Sequence, residues 1–197
     1  MTNPLPSVRV LPSVKERVVR DVARSQTAFA FFIAVCVALH PGEVLKANEG
    51  GLSNYGLHLK TALPYTLALV LASVLCYRAA RALHTARPET RHFKLILLVY
   101  STLTLLTLVT TYGYTLDTPQ RVLHVSVGIV ITVFECAASL WMFDVVRQLV
   151  LVVVAGLIGF VLATLTFFGV VHLLFLTQVL IGGSFALLLV RTSRELA

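Results

Sequence analysis

Residues 149–168 are 20 consecutive positions without a charged side chain. Wound as an α-helix at 1.5 Å per residue they reach about 30 Å, the thickness of a bilayer's hydrocarbon core. Other apolar runs precede and follow this one, and a chain of 197 residues that is 57% hydrophobic and 13% charged cannot hide so much apolar surface in a single soluble core. Lipid has to cover much of it.

The basic residues then fix how the runs alternate. Of 16 lysines and arginines, 13 fall in segments that share one side of a membrane. These are the N-terminus with Arg9, Lys15, Arg17, Arg20 and Arg24, the stretch 78–94, Arg147 in a tight turn, and the tail with Arg191 and Arg194. Lys46, Lys60 and Arg121 fall opposite. By the positive-inside rule the crowded side is the cytoplasm. The same placement accounts for the net charge of +7 without nucleic acid as a partner, because the cations flank apolar runs rather than forming an aromatic-studded patch.

The expected fold is therefore all-α: a polytopic integral membrane bundle of six transmembrane helices in one domain, with both termini cytoplasmic, in the plasma (inner) membrane. The spans are expected at about 26–40, 61–83, 93–111, 119–143, 149–168 and 172–190. Local signals punctuate them. Pro4, Pro6 and Pro12 keep the start extended, and Ser13 to Glu16 has the form of a capping box, so the first helix begins at Val14 near the headgroups. His40-Pro41-Gly42 ends that helix, Pro88 blocks continuation of the second, Thr118-Pro119 opens the fourth, and Gly169 marks a short turn after the fifth. The short turns after helices four and five predict that four, five and six pack as consecutive antiparallel neighbours. Cys36, Cys76 and Cys136 lie in apolar segments at different depths, and no disulfide framework is expected.

Small residues predict where backbones approach. Ala155, Gly159 and Ala163 recur at every fourth position of the fifth helix, Gly182, Gly183 and Ser184 interrupt the sixth, and Gly128 sits in the fourth. Such stripes let helices pack closely, with a hinge at the glycine pair as the alternative.

Chemistry has few candidates, since no catalytic motif, nucleotide loop or diagnostic metal-ligand spacing is present. Glu135 is the one acid expected inside a span, where a charge costs at least about 2.5 kcal/mol, so it should face protein, carry a proton, or both. His124, Gly128, Ile131 and Glu135 share one stripe, with histidine and glutamate about 16 Å apart along the axis. Tyr100, Thr104, Thr107 and Thr111 form a matching stripe on the third helix. Its hydroxyls either line a path beside Glu135 or bond back to their own helix. On the outer side His40, His58 and His172, with Asp117, supply materials for a metal or haem site but no HxxxH pair. No cofactor or metal is assigned on this basis.

Around the first outer loop, Leu52-Ser53-Asn54-Tyr55-Gly56 followed by Leu63-Pro64-Tyr65 resembles the Ser-x-x-Gly element of the damage-regulated autophagy modulator family and its bacterial six-helix relatives, with Asn54 where that element carries aspartate. The resemblance implies a six-helix membrane protein without assigned catalysis, associated with lipid organisation or regulation of partner proteins.

Three readings of function follow. The first is a non-enzymatic membrane protein acting through contacts with the lipid bilayer, a membrane-protein partner or a second copy of itself. The second is a small proton-coupled carrier or permeation protein using Glu135. The third is a membrane metal or haem protein using the outer histidines.

Overall fold

A computed structural model describes residues 13–45, 51–84, 86–113, 118–147 and 149–197. Among these residues the regular structure is helical, with no strand. Six helices are long and apolar enough to cross a membrane: α1 (Val14–Leu39), α2 (Leu59–Ala82), α3 (Pro88–Gly113), α4 (Thr118–Val146), α5 (Val150–Phe167) and α6 (Leu174–Leu196). A short helical turn, Asn54–Leu57, precedes α2.

The helix ends follow from local chemistry. Ser13 Oγ accepts the Glu16 N–H at 3.2 Å while the Glu16 carboxylate accepts the Ser13 N–H at 2.8 Å, closing the capping box at the start of α1. Pro4, Pro6 and Pro12 lie outside the described residues. Pro88 does more than block α2: it opens α3, where a missing N–H costs nothing. At the end of α5 the Val170 N–H reaches the Leu165 carbonyl and the Gly169 N–H reaches Thr166, with Gly169 at φ +73°, which is a Schellman cap. The α4–α5 turn instead places Arg147 at φ 49°, its N–H bonded to the Phe143 carbonyl at 2.7 Å. α6 runs to Leu196, beyond the expected end at 190. No glycine or proline stops it there, and Arg191 pairs with Glu195 one turn on, at 3.2 Å.

Packing joins α1 to α2, α2 to α3, α3 to α4, α4 to α6, and α6 back to α1. Five helices thus form a ring, and α5 sits outside it, seated on α6 and touching α4 only slightly. The expected consecutive packing is seen for α5 on α6 and, more weakly, for α4 and α5, while α4 also packs directly on α6 because the small residues of α5 turn that helix toward α6. A Cβ on Gly159 would lie 2.9 Å from Ile181 Cγ1 and Leu180 Cβ, and one on Gly156 would lie 3.2 Å from Ser184 Cβ. Gly128, Gly182 and Gly183 are not close-approach positions, because a Cβ at each meets nothing within 4 Å.

Two apolar cores occupy opposite ends of the ring. At the end holding the start of α1 and the close of α6, Val22, Cys76, Phe93, Leu97, Met142, Phe185 and Leu188 are fully buried. At the other, Ile33, Cys36, Tyr55, Tyr65, Ala68 and Leu108 pack together. Cys36, Cys76 and Cys136 are all free. Polar pairs stitch the ring between the cores: Ser73 Oγ donates to the Ser101 carbonyl and Ser101 Oγ to the Ser73 carbonyl, each at 2.9 Å. The outward faces stay apolar and exposed, as at Leu151, Val161 and Phe167, which suits contact with lipid.

Gly159→Leu is expected to force α5 off α6, costing about 1–3 kcal/mol through overpacking. Leu157→Phe, on an exposed face, is expected to change little. Thermal unfolding of both variants in mild detergent checks this, and equal midpoints would remove the close-packing argument.

Candidate functional site: a cavity inside the helix ring

Between the two cores the ring does not close on itself. A cavity of about 120 Å³ remains there. Its walls come from every helix of the ring: Gln26 and Phe29 from α1, Tyr65 and Leu69 from α2, Tyr100, Thr104 and Thr107 from α3. α4 adds Ile131, Thr132 and Glu135, and α6 adds Thr177, Gln178, Ile181 and Gly182. α5 reaches it only with Ala163.

Glu135 stands 11 residues before the end of α4, about 16 Å along the axis from Val146. Its half-buried side chain borders the cavity, and among the described residues it has neither a hydrogen-bond partner nor a cation. The other buried carboxylates differ sharply. Asp21 lies 3.5 Å from Arg78 and 3.9 Å from Arg20, and Glu43 lies 3.3 Å from His58 Nε2. Pairing is how a buried charge is ordinarily tolerated, and Glu135 lacks it.

The hydroxyls on the wall separate in the same way. Thr107, Thr132 and Thr177 each donate to a carbonyl of their own helix, at 2.9, 2.8 and 2.7 Å. Thr104 is 2% exposed and its Oγ1 has no partner among the described residues. The two stripes read from the sequence are thus brought together in part. Tyr100, Thr104, Thr107 and Glu135 border one cavity, while Thr111 is drawn away to Tyr65 Oη at 3.1 Å and to the Thr107 carbonyl at 2.7 Å.

His124 serves elsewhere. It is buried on α4, with Nε2 2.8 Å from Ser53 Oγ and Nδ1 3.0 Å from Thr110 Oγ1. Ser53 and Leu52 border the cavity from the loop between α1 and α2, so this loop forms a roof. Gln178 holds its other edge, Oε1 accepting the Leu52 N–H at 2.8 Å. Gly51 allows that approach, since it sits at φ +67° and a Cβ there would fall 2.9 Å from the Gln178 amide. Next to the roof Tyr55 is fully buried, and burial pushes its phenol pKa up. Gln26 and Gln178, which sequence reasoning did not place at a site, gave no periodic signal, their only clue being polarity beside or within apolar runs; Ser53 was marked by the Ser-x-x-Gly element but not as part of a cavity.

The histidine cluster expected on the outer side is brought together only in part. His40 stacks on His58 with ring centroids 5.0 Å apart, beside Glu43. His172 is exposed, and Asp117 lies outside the described residues. Among the described residues no three His, Cys, Asp or Glu side chains are grouped to hold a metal ion.

No family model, curated protein or solved structure matches this chain.

Gln178→Leu removes the acceptor for the part-buried Leu52 amide and is expected to cost about 1 kcal/mol. Amide hydrogen exchange at Leu52 and Ser53 should quicken in that variant while exchange in α2 stays slow. Unchanged protection of Leu52 would show that the roof is held without Gln178.

Proposed function

We propose that this chain is a small proton-coupled carrier of the plasma membrane, with the cavity as its transport site and Glu135 as the group that exchanges a proton. The observation that carries this reading is the lone carboxyl bordering a largely apolar cavity midway along the bundle, where an acid is expensive and functional roles concentrate. The unpartnered Thr104 hydroxyl on the same wall supports it. The basic residues that crowd their side support a cytoplasmic position for both termini. The roof then faces outward, and the way in from that side passes the hydrogen bonds of Leu52 and Ser53. Opening on that side has to part the roof loop from the core that buries Tyr55 and Tyr65, and the other end is shut by the larger of the two cores. Alternating access on this reading combines roof opening with a shift of α6, which has open space beside Gly182 and Gly183.

The competing reading, a membrane protein working through lipid or partner contacts, rests on the exposed apolar faces, which any spanning helix shares. It leaves the cavity and its acid without a role.

In a chain whose three native cysteines are replaced by alanine, Thr132→Cys is expected to react with a membrane-impermeant thiol reagent added from either side of reconstituted vesicles. The balance between the two sides should shift with pH, and Glu135→Gln should abolish that shift while the protein folds normally. Labelling from one side only, whatever the pH, would refute the carrier. Separately, a single cysteine introduced in the loop 51–58 should react from outside intact cells and one in 82–84 should not. The reverse pattern would invert the topology.

A further inference from the structure

The cavity's chemistry is one-sided. Among the described residues it is lined by one carboxyl and by no lysine, arginine or histidine. The remaining titratable groups on its wall are the phenols of Tyr65 and Tyr100. On the wall opposite in the ring, α1 contributes the Gln26 amide, whose Nε2 donates to Ser25 Oγ at 3.0 Å, and the ring of Phe29. We infer that the cavity binds a small monovalent organic cation, a protonated primary amine, with Glu135 as its counter-ion and Thr104 Oγ1 as a hydrogen-bond acceptor. This rests on the carrier reading and names its substrate class.

Four observations converge on that class. A carboxylate without an internal cation attracts one from outside, and in a site of low dielectric that attraction is strong. An ammonium has three N–H donors, and Thr104 Oγ1 is a buried acceptor left without a partner. Three aromatic side chains, Phe29, Tyr65 and Tyr100, line the same space, and ring faces attract cations. The volume of about 120 Å³ is close to that of a cavity known to hold benzene, about 150 Å³, so the ligand has roughly five or six non-hydrogen atoms. An inorganic cation fits less well, because it asks for several oxygen ligands at once and most of the hydroxyls here are already bonded to their own helices. Proton balance is simple: the ammonium enters as the carboxylic acid of Glu135 releases its proton to water, and a proton returns to Glu135 when the amine leaves.

The test is isothermal titration of the full chain in mild detergent at neutral pH with n-butylammonium, n-butanol, butyrate and sodium as separate probes. Butylammonium is expected to bind, and the other three are not. Glu135→Gln should remove binding, Glu135→Asp should retain part of it, and Thr104→Val should weaken it by roughly tenfold through the lost charge-assisted hydrogen bond. Unliganded thermal midpoints establish that each variant is folded. Should Glu135→Gln fail to fold, Thr104→Val and a bulkier Gly182→Leu that fills the space still decide the matter. Equal binding of butanol or sodium, or full binding in Thr104→Val and Gly182→Leu, overturns the amine site. Absence of butylammonium binding while Thr132→Cys is labelled from both sides rejects the amine and leaves the carrier. Binding with labelling from one side only keeps the amine and rejects the carrier.

Discussion

In hydrocarbon no water answers a polar group, so each must find its partner inside the protein. Nearly every feature of this bundle is a response to that constraint. The backbone is satisfied by helices, and the threonines fold their hydroxyls back onto their own carbonyls, as Thr107, Thr132 and Thr177 do. Serines pair reciprocally between α2 and α3. Asp21, buried near one end, is met by Arg78 and Arg20. A rule kept this widely gives meaning to its exceptions, and two of them, Glu135 and Thr104, border the same empty space.

The roof shows how the loop between α1 and α2 becomes part of that space. Short polar side chains place it: Ser53 meets His124 from α4, and the Leu52 amide meets Gln178 from α6. Glycines let it sit low. A Cβ on Gly56 would fall 2.7 Å from Thr111 Cγ2 and 2.8 Å from Tyr65 Cε1, so any larger residue would lift the loop from α2 and α3. Thr61 completes the seat, donating to the Tyr55 carbonyl at 2.6 Å. The Ser-x-x-Gly element noticed in the sequence therefore has a packing reason at both ends: a hydroxyl for His124 and a missing side chain for Tyr65.

Much of the fold was legible because its cause is local. Runs of uncharged residues set the spans, the Ser13–Glu16 box set the start of α1, and Gly169 set the end of α5. The six helices were placed within a few residues, except that α6 continues beyond its apolar stretch, where Thr192 and Ser193 stay buried against the bundle and Arg191 pairs with Glu195. Partner choice was not legible. Turn length suggested that α4 and α5 pack side by side, yet which face α5 presents depends on Gly156 and Gly159 meeting Ser184 and Ile181, a long-range match no window of sequence contains. The same holds for the site. Periodicity marked Glu135 and the α3 stripe, but it also joined His124 to them, and only the folded chain separates the histidine that holds the roof from the acid that faces the cavity.

A void of this size in a packed interior is costly, since lost contacts scale with the space left empty. An unpaired carboxyl in such a place adds to that cost, and apolar residues of similar volume would typically serve stability as well or better. Gly182, on the cavity wall, has no atom within 4 Å of a would-be Cβ, so crowding does not force a glycine there. Glu135, the unpartnered Thr104 and the open side of Gly182 each weaken the bundle, and all three fall in the one region that the two apolar cores leave between them. Stability alone gives no reason for such a coincidence. A ligand that supplies the missing charge, the missing hydrogen bond and the missing volume would offset all three at once.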